Sequence, residues 1–208
     1  MNQKDFVRTL RSSRLLPVLR SARTEDAVEL GMRLHAAGVP LLEVSWTTHD
    51  ASDAVKTLVV RHPVVGAGTI LDAKMAEAAL AAGAAFLVAP THSATVQTIA
   101  ETAGVAYLPA GYTPQEIYNI MVAGIDTVKL FPAATGGIAH LRALRDVYPG
   151  VRFVPTGGIG LDAIPQWIGA GALAVGAGGA LGRLSPDDLS AQVARLTTDL
   201  PSSKRYPS

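Results

Sequence analysis

A chain of 208 residues suits one domain with a substantial core, and its 18 basic and 17 acidic side chains leave a net charge of +1. This balance provides no long-range field that would attract nucleic acid or an acidic membrane surface, so we expect neither as a partner. The absence of cysteine excludes disulfides, thiolate nucleophiles and thiolate metal sites. Because no secretory signal and no apolar stretch of bilayer length is present, we expect a cytoplasmic protein.

Short apolar runs rich in Val, Ile and Leu alternate along the chain with Ala-rich segments of helical period, which is typical of parallel β/α units. The pattern predicts an extra N-terminal helix over residues 1–12 and a polar, frayed tail over residues 201–208. The eight predicted strands are Leu15–Leu19, Pro40–Val44, Val64–Gly68, Ala85–Val88, Val105–Leu108, Asp126–Phe131, Val151–Val154 and Ala172–Gly176. The helices predicted between them include Thr24–Ala37, Asp72–Ala82, Ser93–Ala103 and Thr113–Val122.

A weak internal repeat supports this order, since an Ala-Gly pair followed by an apolar segment recurs at Gly38, Gly83, Gly104, Gly124 and Gly171. The spacing corresponds to one or two units of roughly 22 residues, and each glycine is expected to end a helix before the next strand. A doubly wound open sheet could give the same rhythm. Eight regular units without a long crossover instead favour an α/β fold closed into a (β/α)₈ (TIM) barrel, a single domain over residues 1–208.

Among the charged residues within predicted strands, Glu43 and Lys129 stand out, because a closed barrel offers them only apolar surroundings. Asp126 opens the sixth strand at the opposite face of the barrel, and we expect it to be structural. Glu43 is near the carboxyl end of the second strand, and Lys129 is within the sixth. Burial favours the neutral amine of a lysine, which can attack a carbonyl, while a buried carboxyl can accept and return protons. We therefore predict that Lys129 and Glu43 are catalytic and perform imine chemistry. From these two residues alone, a structural ion pair stays open as the alternative.

Glycine clusters follow the last two predicted strands, where barrels usually bind phosphate. Thr156, Gly157 and Gly158 come after the seventh strand, and Gly178 and Gly179 come after the eighth. We interpret all five as candidate substrate-binding residues, with backbone N–H groups that approach a phosphate. Tight turns alone would also explain the glycines.

Two further positions at strand ends are candidates for substrate binding. Thr69 completes a Gly-Ala-Gly-Thr segment after the third strand, and its hydroxyl can donate to a substrate carboxylate. A glycine turn at the strand end, followed by a threonine that begins a helix, would also explain this segment. Pro90 follows the fourth strand. The five histidines show no ligand spacing, so we expect no metal site and no cofactor.

Several of these segments, in this order and spacing, resemble the 2-keto-3-deoxy-6-phosphogluconate (KDPG) / 4-hydroxy-2-oxoglutarate (KHG) aldolase family, with its phosphogalactonate-type members. The likeness runs from about Leu15 to Leu181. It implies a class I, Schiff-base aldolase on a small (β/α)₈ barrel, metal-independent and homotrimeric, that cleaves a 2-keto acid to pyruvate and an aldehyde. The segments that carry the likeness are Leu41–Val44, Val65–Thr69, Val128–Ala133, Gly136–Gly137 and Pro155–Ile159.

The resemblance also implies roles for individual residues. Lys129 would form the Schiff base and Glu43 would be the acid/base. Thr69 would contact the keto-acid carboxylate. The phosphate site would be lined by Gly157, Gly158 and Gly178.

Two positions depart from the family pattern. Thr47 stands where many phosphogluconate-type members carry an arginine that helps to hold the carboxylate. Arg20, at the end of the first strand, is the obvious substitute, because phosphogalactonate-type members carry an arginine there; a rim-exposed arginine is the alternative. Gly179 replaces a phosphate-binding serine. Both departures concern the phosphorylated substrate more than the aldolase chemistry.

Two other functions stay open at this point. The first is a phosphate-binding barrel isomerase or synthase that uses Lys129 only as an electrostatic clamp. The second is a non-catalytic barrel that binds a sugar phosphate. An imine mechanism predicts that Lys129→Arg is inactive, whereas an electrostatic clamp predicts that this variant retains activity.

Overall fold

The computed structural model describes residues 1–198, which alternate between short strands and helices. The strands are β1 (Leu15–Leu19), β2 (Leu42–Ser45), β3 (Val65–Gly68), β4 (Phe86–Val88), β5 (Ala106–Leu108), β6 (Ala110–Gly111), β7 (Thr127–Leu130), β8 (Arg152–Pro155) and β9 (Val175–Ala177). The α-helices are α1 (Gln3–Ser13), α2 (Thr24–Ala36), α3 (Ala51–Val59), α4 (Ala73–Ala81), α5 (Ala94–Thr102), α6 (Pro114–Val122), α7 (Ala133–Val147), α8 (Ile164–Gly169) and α9 (Pro186–Thr198). Short 3₁₀ turns lie at Leu161–Ala163 and Leu181–Arg183. The predicted tail over residues 201–208 lies outside the described residues.

The strands are all parallel and form a closed (β/α)₈ barrel, as predicted. Strands β5-β4-β3-β2-β1-β9 form one continuous ladder and β6-β7-β8 form another. The two ladders join on one side between β8 and β9, where the Leu173 N–H donates to the Phe153 carbonyl at 2.8 Å and Thr156 pairs with Gly176. They join on the other side where the Lys129 N–H donates to the Pro109 carbonyl at 2.9 Å.

The predicted fifth strand, Val105–Leu108, corresponds to β5, but the sequence analysis did not predict the second short piece, β6, that follows it. Pro109 separates the pieces. Proline has no backbone N–H, so the ladder is interrupted at this residue although the chain continues in the same direction. The eight predicted strands therefore correspond to nine observed segments at eight positions of the barrel wall.

The helices end at the glycines that the sequence analysis predicted. The five glycines of the Ala-Gly repeat all adopt positive φ directly after a helix, which is the conformation that ends a helix at its carboxyl terminus. At the start of α6, Thr113 and Glu116 form a reciprocal capping box with Pro114 in the first turn. The extra N-terminal helix is confirmed, with Asn2 as its cap rather than its first turn.

Two apolar clusters lie on opposite faces of the barrel wall. The larger one fills the space between the strands and the surrounding helices. The smaller one fills the lower lumen, and α1 closes that end of the barrel with Phe6, whose ring centroid lies 4.7 Å from that of Phe86. Because successive side chains of a strand point to opposite faces, inward-facing positions above this plug remain available for polar residues. Within residues 1–198, no helix is both long and apolar enough to cross a membrane.

Candidate active site

Glu43 and Lys129 face each other inside the barrel, above the apolar plug. Their strand neighbours, Leu42 and Val44 on β2 and Val128 and Leu130 on β7, belong to the outer cluster, so the two charged side chains must point inward. The Lys129 Nζ lies 3.7 Å from the Glu43 Oε1, and the two residues are 6% and 1% exposed. The structure thus brings together the two residues that the sequence singled out.

The Glu43 carboxylate is held in an unusual electrostatic environment. Burial in the lumen raises the pKa of the carboxyl above its ordinary value of 4.5, and the positive charges of Lys129 and Arg20 oppose this effect only in part. Neither carboxylate oxygen accepts a hydrogen bond from any group within residues 1–198. A buried acceptor without a partner is costly in a merely structural residue, and it is available to a water or a substrate hydroxyl.

Gly68 provides the space that the carboxylate occupies. A Cβ atom at this position would lie 1.7 Å from the Glu43 Oε1 and 2.3 Å from its Cδ. Every residue other than glycine would therefore displace the acid. This contact gives a physical reason for the Gly-Ala-Gly-Thr segment of the sequence, whose second glycine pairs with Ser45 across the β2–β3 ladder.

Three hydroxyl groups lie in a row at the carboxyl ends of β2 and β3. The Ser45 Oγ is 2.8 Å from the Thr47 Oγ1 and 2.9 Å from the Thr69 Oγ1. Ser45 is fully buried, while Thr69 is half-buried and Thr47 is exposed. Thr69 also has a φ of 61°, a left-handed conformation that is rare for a β-branched residue and typical of functional sites.

Lys129 opens into a cavity of about 550 Å³ at the carboxyl ends of β1, β7, β8 and β9. This cavity also contains six of the predicted substrate-binding residues, namely Arg20, Thr156, Gly157, Gly158, Gly178 and Gly179. Thr69 and Pro90 do not line it. The Thr156 hydroxyl already donates to the Val154 carbonyl at 3.2 Å, so this residue faces the barrel wall as well as the cavity.

Backbone N–H groups line the part of the cavity that is formed by the turns after β8 and β9. Gly157 and Gly158 have φ values of 98° and 75°. The N–H groups of Gly158, Gly178 and Gly179 donate to no acceptor within residues 1–198. Gly178 must be a glycine, because a Cβ atom there would lie 2.7 Å from the Val18 carbonyl oxygen. Unpaired amides on two adjacent turns are suited to bind an anion.

Arg183 and Phe131 line the same cavity and were missed by the sequence analysis. Arg183 ends the 3₁₀ turn after β9 and is exposed. The Phe131 ring centroid lies 5.5 Å from the Lys129 Nζ. The cations that line the cavity are thus Lys129, Arg20 and Arg183, and no carboxylate is among its lining residues. Arg183 follows the second glycine cluster by only four residues, which is the signal that could have identified it.

The remaining polar clusters lie away from this cavity. Asp126 pairs with Arg152 at the amino-terminal end of the strands, which fits the structural role expected there. Among residues 1–198, no group of three or more His, Cys, Asp and Glu side chains is arranged to hold a metal ion. His62 is buried and its ring contacts that of His35, with centroids 5.2 Å apart.

Comparisons with known proteins point in the same direction as this geometry. The chain matches the KDPG and KHG aldolase family over residues 7–196. It is 37% identical over 158 residues to the 2-dehydro-3-deoxy-phosphogluconate aldolase of Treponema pallidum, covering 74% of this chain and 75% of that protein.

Two solved structures of this kind are also similar. KDPG aldolase from Zymomonas mobilis has a TM-score of 0.81 and 31% identity, covering 98% of each chain. KDPG aldolase from Legionella pneumophila, in which pyruvate was captured as a covalent carbinolamine, has a TM-score of 0.77 and 27% identity, covering 93% of this chain and 97% of that one.

Proposed function

The chain belongs to the KDPG and KHG aldolase family, and on that premise we propose that it is a lyase that cleaves a 2-keto-3-deoxy sugar acid through an imine on Lys129. One observation carries the assignment of residues. A buried amine lies 3.7 Å from a buried carboxylate whose two oxygens accept no hydrogen bond within the described residues, so both groups are available to a bound substrate.

The reaction begins when the neutral amine of Lys129 attacks the C2 carbonyl of the keto acid. The resulting carbinolamine takes up one proton, which the final hydrolysis releases again, and loses water to become a protonated imine. Glu43, acting directly or through one water, then removes the proton of the C4 hydroxyl. The C3–C4 electron pair moves into the imine, so an enamine forms on Lys129 and an aldehyde leaves.

Glu43 holds the proton that it has removed and is placed to return it to C3 of the enamine. Addition of one water to the regenerated imine releases pyruvate and restores the free amine of Lys129. The raised pKa of Glu43 suits this exchange, because a carboxyl that titrates nearer to neutrality can both accept and donate a proton during turnover.

The part of the cavity lined by the turns after β8 and β9 is the proposed site for a phosphate on the substrate. The unpaired N–H groups of Gly158, Gly178 and Gly179 would contact phosphate oxygens, and the Arg183 guanidinium would supply a positive charge. Arg183 would thereby compensate for the hydroxyl that is lost where glycine replaces serine at position 179. Arg20 lines the same cavity, and its charge acts on Glu43, so it is the proposed partner of the substrate carboxylate.

Borohydride reduction in the presence of pyruvate tests the imine. We expect a stable pyruvyl adduct on Lys129, located by peptide mass analysis, and no adduct in Lys129→Arg. Lys74→Arg, which changes an exposed lysine on α4, is the matched control and should form the adduct like the wild type. Unmodified wild-type protein after reduction would refute the mechanism.

Turnover of the same variants separates the alternative functions. A pyruvate-release assay on phosphogluconate-type, phosphogalactonate-type and hydroxy-oxoglutarate substrates identifies the preferred aldehyde partner. Activity that survives in Lys129→Arg would favour an isomerase or synthase with an electrostatic lysine. Tight binding without turnover of any of these substrates would favour a sugar-phosphate-binding barrel.

Assembly, domain organisation and location remain predictions. The homotrimer rests on the family resemblance, the single domain rests on the length and repeat of the chain, and the cytoplasmic location rests on its composition. We propose that all three hold for this protein.

A further inference from the structure

The row of hydroxyl groups at the ends of β2 and β3 has a function beyond that of Thr69 alone. We propose that Thr47 and Ser45 are positioning residues. Their hydroxyl groups form a chain of hydrogen bonds with the Thr69 hydroxyl, and this hydroxyl chain orients the Thr69 proton toward the substrate carboxylate. The proposal rests on the proposed function, because it requires a keto acid bound near Lys129 and Glu43.

The geometry makes Ser45 the centre of the chain. Its hydroxyl contacts both threonine hydroxyls, at 2.8 Å and 2.9 Å, and no solvent reaches it. A hydroxyl has a single proton to donate. Ser45 can therefore donate to only one of the two threonines. When it donates to Thr69, its contact with Thr47 is one in which Thr47 donates, and the three groups then form a chain with one direction.

The direction of the chain depends on what Thr69 meets. If Thr69 donates to Ser45, it presents only lone pairs outward, which repel a carboxylate. If Thr47 donates to Ser45 and Ser45 donates to Thr69, the Thr69 proton is left for the ligand. A bound carboxylate therefore selects the second direction, and hydrogen bonds in such a chain strengthen one another.

The backbone holds Thr69 so that it can use this proton. Its φ of 61° costs conformational energy that a glycine would not incur, yet a threonine occupies this position of the sequence. The flanking backbone is held on both sides. The Trp46 N–H donates to the Gly68 carbonyl at 2.7 Å, and the Ile70 N–H donates to the Val88 carbonyl at 3.1 Å. The backbone that carries the hydroxyl is therefore fixed, and the Ser45 Oγ at 2.9 Å holds the hydroxyl itself.

This arrangement gives a role to Thr47, which stands where many phosphogluconate-type relatives carry an arginine. A threonine at this position cannot supply a positive charge to the carboxylate. It can supply the first proton of the hydroxyl chain, so this position contributes a neutral, oriented donor to the carboxylate, while Arg20 remains the proposed cation. Thr47 is exposed, and its replacement is not expected to disturb the core.

Replacement of Thr47 by valine, which has the same shape but no hydroxyl, tests the chain. We expect the pyruvate concentration for half-maximal borohydride trapping, and the KM for the aldol substrate, to rise about three- to tenfold, the range of one lost hydrogen bond. The kcat should change by less than about twofold, since the chain does not touch the reacting atoms. Thr47→Ser keeps the hydroxyl and should rescue the wild-type values.

Two further variants make the test specific. Thr98→Val removes an exposed threonine hydroxyl on α5, which bonds only to the Ala94 carbonyl at 3.0 Å, and serves as the matched control. Thr69→Val should raise the pyruvate concentration for half-maximal trapping at least as much as Thr47→Val does. The double variant should show little additional loss, because both changes remove the same interaction.

The outcomes separate this proposal from the assigned function. Failure of wild-type trapping refutes the imine mechanism and the hydroxyl chain with it. If the wild type is trapped normally, and Thr47→Val or Thr69→Val is trapped with the same dependence on pyruvate concentration, the aldolase assignment stands. The proposed role of the hydroxyl chain is then refuted. An equal loss in Thr47→Ser and Thr47→Val, or additive losses in the double variant, also overturns it.

Discussion

Glu43 illustrates how one buried residue can be costly for the fold and useful for the reaction. Its carboxyl is enclosed by the lumen, its pKa is raised by burial, and its oxygens accept no hydrogen bond within residues 1–198. A carboxylate in that state is poorly stabilised by its surroundings. It therefore gains more than an exposed acid does when it takes a proton from a substrate hydroxyl.

The pH dependence of kcat should report this raised pKa. Because the carboxylate is the proposed base, activity should fall as the pH is lowered through the pKa of Glu43, at a pH above the ordinary value of 4.5. Glu43→Gln should reduce kcat by about 10²- to 10⁴-fold, the usual contribution of an acid–base group. The residual activity of this variant should not show the fall at low pH, which is the acid limb of the pH profile.

The measurement is kcat at saturating substrate over a pH series for both enzymes. Circular dichroism of the variant controls for folding. Profiles of identical shape in the wild type and Glu43→Gln would contradict the assigned role, since another group would then control the acid limb.

At the scale of elements, two turns that follow β8 and β9 form the proposed anion site of the cavity. Neither turn forms a site alone, since the pairing of Thr156 with Gly176 is what sets them side by side. The 3₁₀ turn Leu181–Arg183 then carries an arginine into the same cavity. Adjacent strands of a parallel barrel end at the same face, so residues far apart in sequence meet there.

Arg183→Gln should therefore weaken binding of a phosphorylated substrate selectively. We expect its KM to rise about tenfold through loss of a charge-assisted hydrogen bond. The KM for hydroxy-oxoglutarate should change less than that of the phosphorylated acids, and borohydride trapping of pyruvate should not change. Arg61→Gln alters an exposed arginine outside the cavity and is the control. An equal effect on all substrates would contradict a phosphate contact.

At the scale of the whole molecule, the stability of the fold should depend on the protonation of His62. Burial lowers the pKa of this ring below the ordinary value of 6.5, and the charge of neighbouring His35 adds to the effect. The unfolded chain therefore binds a proton more readily than the folded one does. The stability that the neutral ring provides is present above pH 6.5 and is lost as the pH falls toward the lowered value.

The expected result is that the wild type loses more free energy of unfolding than His62→Gln does when the pH falls from 8 to 5.5. Denaturant titrations of both proteins at the two pH values measure this difference, and the pH 8 values control for changes in packing. The comparison with the variant is necessary because Glu43, whose pKa is raised, contributes with the opposite sign. If the difference in free energy of unfolding between the wild type and His62→Gln were the same at both pH values, the proposed role of His62 protonation would be contradicted.

Much of the barrel could be predicted from the sequence because its signals are local. Apolar runs of strand length, Ala-rich helical segments and a repeated Ala-Gly pair depend on residues that are close in the chain. A lysine and a glutamate inside apolar strands could be recognised for the same reason, since the cost of burying a charge is visible wherever the strand is recognised. The break at Pro109 also has a local cause, although the sequence analysis did not use it.

Long-range contacts decided the rest. The 3.7 Å approach of Lys129 to Glu43, the cavity shared by Arg183 and the glycine turns, and the hydroxyl row that includes Ser45 all depend on which strands become neighbours when the barrel closes. The sequence by itself determined which side chains would be buried and which chemistry they could support. Only the tertiary structure decided which of them meet, because distances between atoms on different strands follow from the closure of the wall and not from the order of residues along the chain.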